Sequence, residues 1–540
     1  MNIITQINDK IIWGIPMLGL MLFTGIYFTV RTRFFHLRKF PHILKSTVFA
    51  RRDKNNKDGV SPFAAMCQAL ASTLGTGNIA GVSTAIAIGG AGAVFWMWVS
   101  AFFGMMTGFA ENVLGLYYRK KVNGQYKGGA MMYIRYGLAE NKKTRFLSVP
   151  LSVAYALLCI LSGFGMGNAA QMNSAAEAVK TSFKIPPVIT GILLAVLAGV
   201  IVFGGVKRIS AVTSKLVPFM SGFYIIGCLY ILTVNAGRLP ETFALIFKSA
   251  FGLAQIGGGF AGAAVKTVVS MGFKRGVFSN EAGLGTSVFA HTASGIKEPV
   301  VCGMWNIFEI FFDTIVMCTM TALVLLTAPC RADSSVYVLN SVSAETQMFR
   351  ITDSDSLITN GVILPNTIQC HSIYGDKIEV STSGERTYSN LFTVKGELRD
   401  GRIVSAKIEP ILGAGLAEHA FSSVFGKPAG YMLSVLVVMF AFSTVIGWCY
   451  FLGEASEFLF GNRVRKPLTV IFIAFIVVGA TVNMQAAWGL ADMLNGLMAV
   501  PNLTAVLFLS NKVVTLTREY EQRQRAAASV AAVSAKGYSR

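Results

Sequence analysis

Long apolar stretches, each near the length of a membrane crossing, alternate with short polar gaps along most of this chain. A helix needs about 20 apolar residues to span the hydrocarbon core. Eleven stretches qualify: residues 11–30, 62–90, 93–117, 148–179, 186–205, 211–234, 259–294, 301–328, 428–452, 467–484 and 486–509. The pattern predicts an all-α membrane protein with eleven transmembrane helices. The first stretch lacks a basic leader and a small-residue cleavage site and runs straight into Arg31 and Arg33, so it reads as a retained helix. The stretches 62–90 and 259–294 are too long and too rich in glycine for simple rods.

One gap breaks the rhythm. Residues 330–415 are polar and read as short strands at Val336–Leu339, Lys377–Val380 and Leu391–Val394, broken by Ser, Asp, Asn and Gly. The expected organisation is therefore a leading helix and core helices one to seven over 1–329, a small β-rich insertion over 330–415, core helices eight to ten over 416–512, and a tail over 513–540. Beyond a short helix the tail, charged and then rich in Ala and Ser, reads as disordered.

Charge orients the helices. Basic residues crowd alternate gaps: Arg31 to Lys57 in the first, Arg119 to Arg145 in the third, Lys207 and Arg208 in the fifth, Lys297 in the seventh, Arg463 to Lys466 in the ninth. Cytoplasmic loops carry this excess. The N-terminus and the insertion are then expected outside the inner membrane, and the C-terminus inside. The same placement disposes of nucleic acid as a partner, because the net charge of +20 is spread over membrane-flanking gaps and has no nucleic-acid-binding fold behind it. With 53% hydrophobic and only 14% charged residues, against about 25% charged in soluble proteins, the chain is a bilayer protein.

Eight cysteines show no metal-site spacing. Cys330 and Cys370 fall in the insertion, on the side where disulfides persist. They form a candidate bridge, and two free thiols are the alternative.

Candidate chemistry sits where helices should fail. Leu74-Gly-Thr-Gly-Asn-Ile-Ala-Gly81 packs poor helix formers into the middle of a crossing. One reading is close packing through Gly77 and Gly81; the other is an interrupted helix whose freed backbone binds a ligand, since irregular backbone at membrane depth must line a cavity. A second interruption is expected around Met271 to Gly285, with Lys274 and Arg275 as its markers and Glu281 as a costly intramembrane carboxylate. After the leading helix, these breaks fall in core helices one and six, each opening a set of five that enter from opposite sides. That is the pattern of an inverted-repeat transporter. Gln171, Asn173, Ser443, Thr444 and Trp448 are further polar or aromatic groups able to complete a site, hydroxyls suiting a hard cation such as sodium. Glu281 is open to cation coordination, proton carriage, gating or a purely structural hydrogen bond.

Several segments, taken in order, resemble the alanine or glycine:cation symporter family of the amino acid–polyamine–cation superfamily. They are Gly75-Thr-Gly-Asn-Ile-Ala-Gly81, Phe95-Trp-Met-Trp98, Phe109-Ala-Glu111, Arg275-Gly-Val-Phe-Ser-Asn-Glu-Ala-Gly-Leu-Gly285, Ala290-His291 and Gly447-Trp448. The resemblance implies a ten-helix 5+5 inverted-repeat core with broken core helices one and six, and sodium-coupled uptake of alanine or glycine. It places Thr76, Gly77 and Asn78 on the substrate, with Gln171 and Trp448 completing the pocket; Asn173, Phe278 and Asn280 are candidates beside them. It places Gly75, Thr76, Ser443 and Thr444 around sodium, and Glu281 and Arg275 are gating or coupling candidates. Expected partners are a small neutral amino acid, sodium and the bilayer, with no cofactor beyond the coupling ion; the insertion is a docking candidate for an unidentified partner. A proton in place of sodium and a sensor built on the same scaffold are the alternatives. No P-loop, HExxH or GxSxG is present to support an enzyme.

Overall fold

The computed structural model describes residues 12–49, 59–122, 125–251, 261–328, 414–426, 428–482 and 484–537, and the strands between 347 and 410. It is a bundle of long apolar helices. Among the described residues, seven are long and apolar enough to cross a membrane, and Pro16–Arg31 and Pro187–Val202 are shorter apolar helices.

In chain order, α1 (Ile15–Arg31) is followed by two short helical turns and then by a crossing in two pieces. Its first piece, α2 (Pro62–Thr73), is started by Ser61, whose hydroxyl accepts from the Ala64 amide at 3.2 Å, with Pro62 at the first position. A 3₁₀ turn, Thr76–Asn78, separates it from α3 (Ala80–Gly89). α4 (Gly92–Tyr118) is continuous, a hairpin of β1 (Lys120–Val122) and β2 (Gln125–Lys127) follows, and α5 (Ala130–Glu140) packs on α6 (Arg145–Phe164). A π-helical turn, Gly165–Ala170, carries α6 into α7 (Gln171–Phe183). Next come α8 (Pro187–Val202), α9 (Gly205–Val234) and the amphipathic α10 (Leu239–Ala250).

The second split crossing is α11 (Ala261–Asn280) and α12 (Ser287–Thr292). α13 (Pro299–Ile310) runs through another π segment, Phe311–Cys318, into α14 (Thr319–Thr327). After the insertion come α15 (Ala414–Phe425), α16 (Pro428–Phe460), α17 (Asn462–Thr481), α18 (Met484–Phe508) and α19 (Ser510–Gly537).

The insertion contains β3 (Gln347–Ile351), β4 (Leu357–Thr359), β5 (Val362–Leu364), β6 (Thr367–His371), β7 (Lys377–Ser381), β8 (Phe392–Arg399) and β9 (Arg402–Pro410). One antiparallel sheet has the order β5-β4-β3-β9-β8, and β6 and β7 form a separate hairpin. The strand expected at 336–339 and Cys330 lie outside the described residues, so the candidate bridge to Cys370 does too.

The tail departs from expectation, since α19 carries it as helix to Gly537. Alanine and long charged residues are strong helix formers, and tertiary contacts dock its first turns. Glu521 pairs with Arg38 at 2.7 Å, Arg523 with Glu298 at 2.7 Å, and the Tyr520 hydroxyl meets His42 at 3.0 Å.

Small residues set one close helix pair. A Cβ added at Gly272 of α11 would lie 2.5 Å from the Ala93 carbonyl of α4, and one at Gly276 would lie 2.1 Å from Ser100 Oγ. The four-residue spacing puts both on one face, so the small-xxx-small contact lies here and not at Gly77 and Gly81. Gly272→Val is expected to destabilise the fold by about 1–3 kcal/mol through overpacking, seen as a lowered thermal midpoint in detergent. An unchanged midpoint would contradict this packing.

Candidate functional site

The first interruption follows from where backbone hydrogen bonds go. Leu74 closes α2 onto Leu70, and the Gly75 amide then turns to Thr73 instead of Ala71. That frees the Ala71 carbonyl. Ser443 Oγ and Thr444 Oγ1 of α16 lie 3.2 and 3.1 Å from it, and each, with its single hydrogen, has Phe440 O at 2.8 and 3.1 Å as the alternative acceptor. On the other flank, the Gln171 Oε1 accepts both the Thr76 amide at 3.0 Å and the Thr76 hydroxyl at 2.9 Å. The π turn widens the helix just before Gln171, a feature common at functional sites. Gly75 sits between the flanks: a Cβ there would come within 2.7 Å of Thr444 Oγ1 and 2.8 Å of Gln171 Oε1. Gly75, Thr76, Gln171, Ser443 and Thr444 therefore converge, and Ala71, which sequence reasoning missed, joins them.

The second interruption is sharper and later than expected. Lys274 and Arg275 lie within α11, not at its break, because both pair with the buried Asp492 of α18, at 2.8 and 3.2 Å. The helix stops at Asn280. Glu281 then takes φ of 55°, a left-handed conformation unusual outside glycine, and Gly283 and Gly285 follow with φ of 91° and 70°. The Glu281 carboxylate holds this bend: it accepts from Trp448 Nε1 at 3.2 Å and from the Thr286 hydroxyl. Trp448 in turn lies against Gly167 of the π turn, where a Cβ would be 2.5 Å from the tryptophan Cβ. Asn280 donates to Thr314 Oγ1 at 3.1 Å and accepts from the Ala282 amide at 3.0 Å.

Phe278 bridges the two breaks. Its ring edge would be 3.1 Å from a Cβ on Gly77, and it stacks on Trp488 with centroids 4.9 Å apart. The Arg275 guanidinium lies 5.5 Å from the Phe278 centroid and 5.1 Å from that of Trp488. Asn173 is not brought to this cluster. Its amide turns to the Val482 carbonyl at 2.5 Å, because residues two apart on a helix point to different faces.

A cavity of about 350 Å³ has Ala80, Thr84, Arg275 and Trp488 in its wall, together with Glu177 and Glu418. α15, where the insertion rejoins the bundle, contributes Ala414 and Gly415 to its wall. The bend after Glu281 is tied to neighbouring helices. Tyr155 donates to the Leu284 carbonyl at 2.9 Å, and the Asn502 amide donates to the Gly283 carbonyl at 2.8 Å and to Glu111 at 2.5 Å. Freed backbone, neutral hydroxyls and amides at two helix breaks are suited to hold a small polar molecule and a hard cation.

Sequence reasoning also passed over Asp313 and Glu309, both fully buried. The signal was available: each is a carboxylate inside the apolar stretch 301–328, the same criterion that singled out Glu281.

The description "Sodium:alanine symporter family" matches residues 1–359 and 400–534, leaving out only part of the insertion and the extreme C-terminus. The sodium/alanine symporter AgcS of Methanococcus maripaludis is 35% identical over 525 residues, covering 97% of this chain and 98% of its own. An uncharacterised transporter of Haemophilus influenzae is 34% identical over 518 residues, covering 95% of each chain. Among solved structures, the Eremococcus coleocola manganese transporter aligns with a TM-score of 0.45 at 13% identity, over 86% of this chain and 82% of its own.

Proposed function

The chain belongs to the sodium:alanine symporter family, and on that premise we propose that it takes up alanine, glycine or a similar small neutral amino acid together with sodium. It is a multi-pass membrane transporter. The finer reading has eleven crossings in a leading helix and a 5+5 inverted repeat, with the N-terminus and insertion outside and the C-terminus in the cytoplasm. The observation that carries it is the freed Ala71 carbonyl meeting the hydroxyls of Ser443 and Thr444, in the interruption whose Thr76 is held by Gln171.

Mechanistically, sodium seats on the Ala71 carbonyl and the two hydroxyls and orders the break. The ordered break then offers the Thr76 and Gly77 backbone to the substrate carboxylate. Each ligand organises backbone the other needs, so each raises the other's affinity by the same factor. The cavity lined in part by α15, together with the bonds that hold residues 283–284, supports an outward-directed state. Releasing the bonds of Asn502 and Tyr155 to residues 283–284 would open the other face.

Radiolabelled alanine uptake into proteoliposomes tests the reading. Accumulation driven by an inward sodium gradient is expected. Accumulation driven only by a proton gradient would replace the coupling ion, and ligand binding without accumulation would leave a sensor.

A further inference from the structure

The chain leaves its first membrane helix through a strained turn. At the end of α1 the Arg33 amide donates to the Val30 carbonyl at 3.0 Å and the Phe34 amide to the Thr29 carbonyl at 2.7 Å. This paired closure calls for a left-handed residue just past the helix, and glycine is the usual choice. Here Arg33 and Phe34 supply it, both with φ of 55°. Residues with a side chain seldom take that conformation, and backbone held this way clusters at functional sites.

Two short helical turns follow, Phe35–Arg38 and Phe40–Ser46, and they have two apolar faces. One is covered by the bundle. Phe35 and Ile43 are fully buried, and the Phe35 ring lies 5.2 Å from that of Phe109 in α4. His36 meets Phe102 of the same helix at 4.7 Å, and Phe40 meets Phe311, the first residue of the second π segment, at 5.0 Å. The other face is open. Phe34, Leu37, Val48 and Phe49 are exposed, Phe49 to 73%. All four lie past the end of α1, so contact with hydrocarbon along that crossing does not account for them.

Basic residues stand among them. Arg31 is engaged by Tyr27 and Asn511, and Arg38 by Glu521. None of the ion pairs formed among the described residues includes Arg33, Lys39 or Lys45. Their charge is felt locally: burial, then Lys39 and Lys45, push the His42 imidazole below its usual range. Exposed Phe and Leu side chains beside uncompensated cations suit the headgroup boundary of an anionic bilayer. We propose that residues 33–49 are an interfacial anchor that docks on anionic phospholipid. Phe34, Leu37 and Phe49 enter the acyl boundary, and Arg33, Lys39 and Lys45 meet the phosphate headgroups. Phe35 and Phe40 join the anchor to α4 and to the π segment before α14, so docking steadies two elements beside the interrupted helices.

Uptake tests the anchor on the premise of sodium-coupled alanine transport. At a fixed sodium gradient, the full-length protein is expected to accumulate alanine about threefold faster or more in vesicles of phosphatidylcholine with phosphatidylglycerol than in phosphatidylcholine alone. In Arg33→Gln/Lys39→Gln/Lys45→Gln the two vesicles should give the same rate. Equal accumulation by the wild type in the two vesicles overturns the anchor.

Lipid binding tests it without that premise. In detergent, phosphatidylglycerol is expected to raise the thermal midpoint by about 2 °C or more beyond the same amount of phosphatidylcholine, since a ligand of the folded state stabilises it. The triple variant should lose this rise. Phe49→Ser covers a triple variant that folds poorly, and should reduce the rise by about half. Lys142→Gln/Lys143→Gln, which removes charge from the exposed turn before α6, should keep it. A rise that survives the triple variant, that inorganic phosphate reproduces, or that Lys142→Gln/Lys143→Gln removes equally overturns the anchor. A rise confined to residues 33–49, in a protein that accumulates no alanine from either vesicle, keeps the anchor and removes the symport reading.

Discussion

Gln171→Ala is expected to lower sodium-driven alanine uptake by about 100-fold or more while the protein still inserts and folds. The wild-type Gln171 oxygen accepts two hydrogen bonds from Thr76, one from its amide and one from its hydroxyl. Both donors are buried inside the bundle. Leaving a buried donor unpaired costs about 1–3 kcal/mol, so two such losses fall on the backbone that receives the substrate. The damage is local, because the π turn and α7 keep their other contacts. Asn173→Ala is the matching control. Asn173 bonds to Val482, away from the break, and its loss should change uptake by about twofold at most, in line with one net hydrogen bond far from the ligand. Initial rates at saturating sodium, normalised to folded protein by fluorescence-detected size exclusion, decide the matter. Equal losses in both variants would remove Gln171 from the site.

The contrast between these two residues shows how far the sequence could be read. The interruptions at Thr76–Asn78 and after Asn280 are legible, because glycine, threonine and asparagine in the middle of an apolar crossing have few other uses. Gln171 and Asn173 look equivalent as letters, and only the 3.6-residue turn separates their faces. Lys274 and Arg275 look like the second break because charge is costly at that depth; their partner Asp492 is more than two hundred residues away in α18, and no local pattern announces it. Asp313 was there to be seen, since it obeys the rule applied to Glu281. The π segment that places Asp313 has no such local signature, whereas the one before Gln171 follows the glycine-rich run Ser162 to Asn168. The docked tail was misread because composition alone does not register the pairs from Glu521 and Arg523.

The largest effect on ion dependence is expected from Ser443→Ala/Thr444→Ala, which should raise the half-saturating sodium concentration for alanine uptake by about tenfold or more. The two hydroxyls are the side-chain groups that reach the freed Ala71 carbonyl. Hydrogen-bonding groups that meet a charge contribute about 1.5–3 kcal/mol each, and about 1.4 kcal/mol is one decade in affinity. The backbone cost should be small, because each hydroxyl has Phe440 O as an alternative acceptor within its own helix, and alanine is a better helix former than serine or threonine. The maximal rate at very high sodium should therefore recover most of its wild-type value. Reciprocity adds a second readout: at low sodium the apparent affinity for alanine must fall in the same variant, and the deficit must shrink as sodium rises. A variant with unchanged sodium dependence would move the coupling ion elsewhere. A variant with reduced maximal rate at every sodium concentration would mean that the hydroxyls hold helix α2 in place and do not meet the ion.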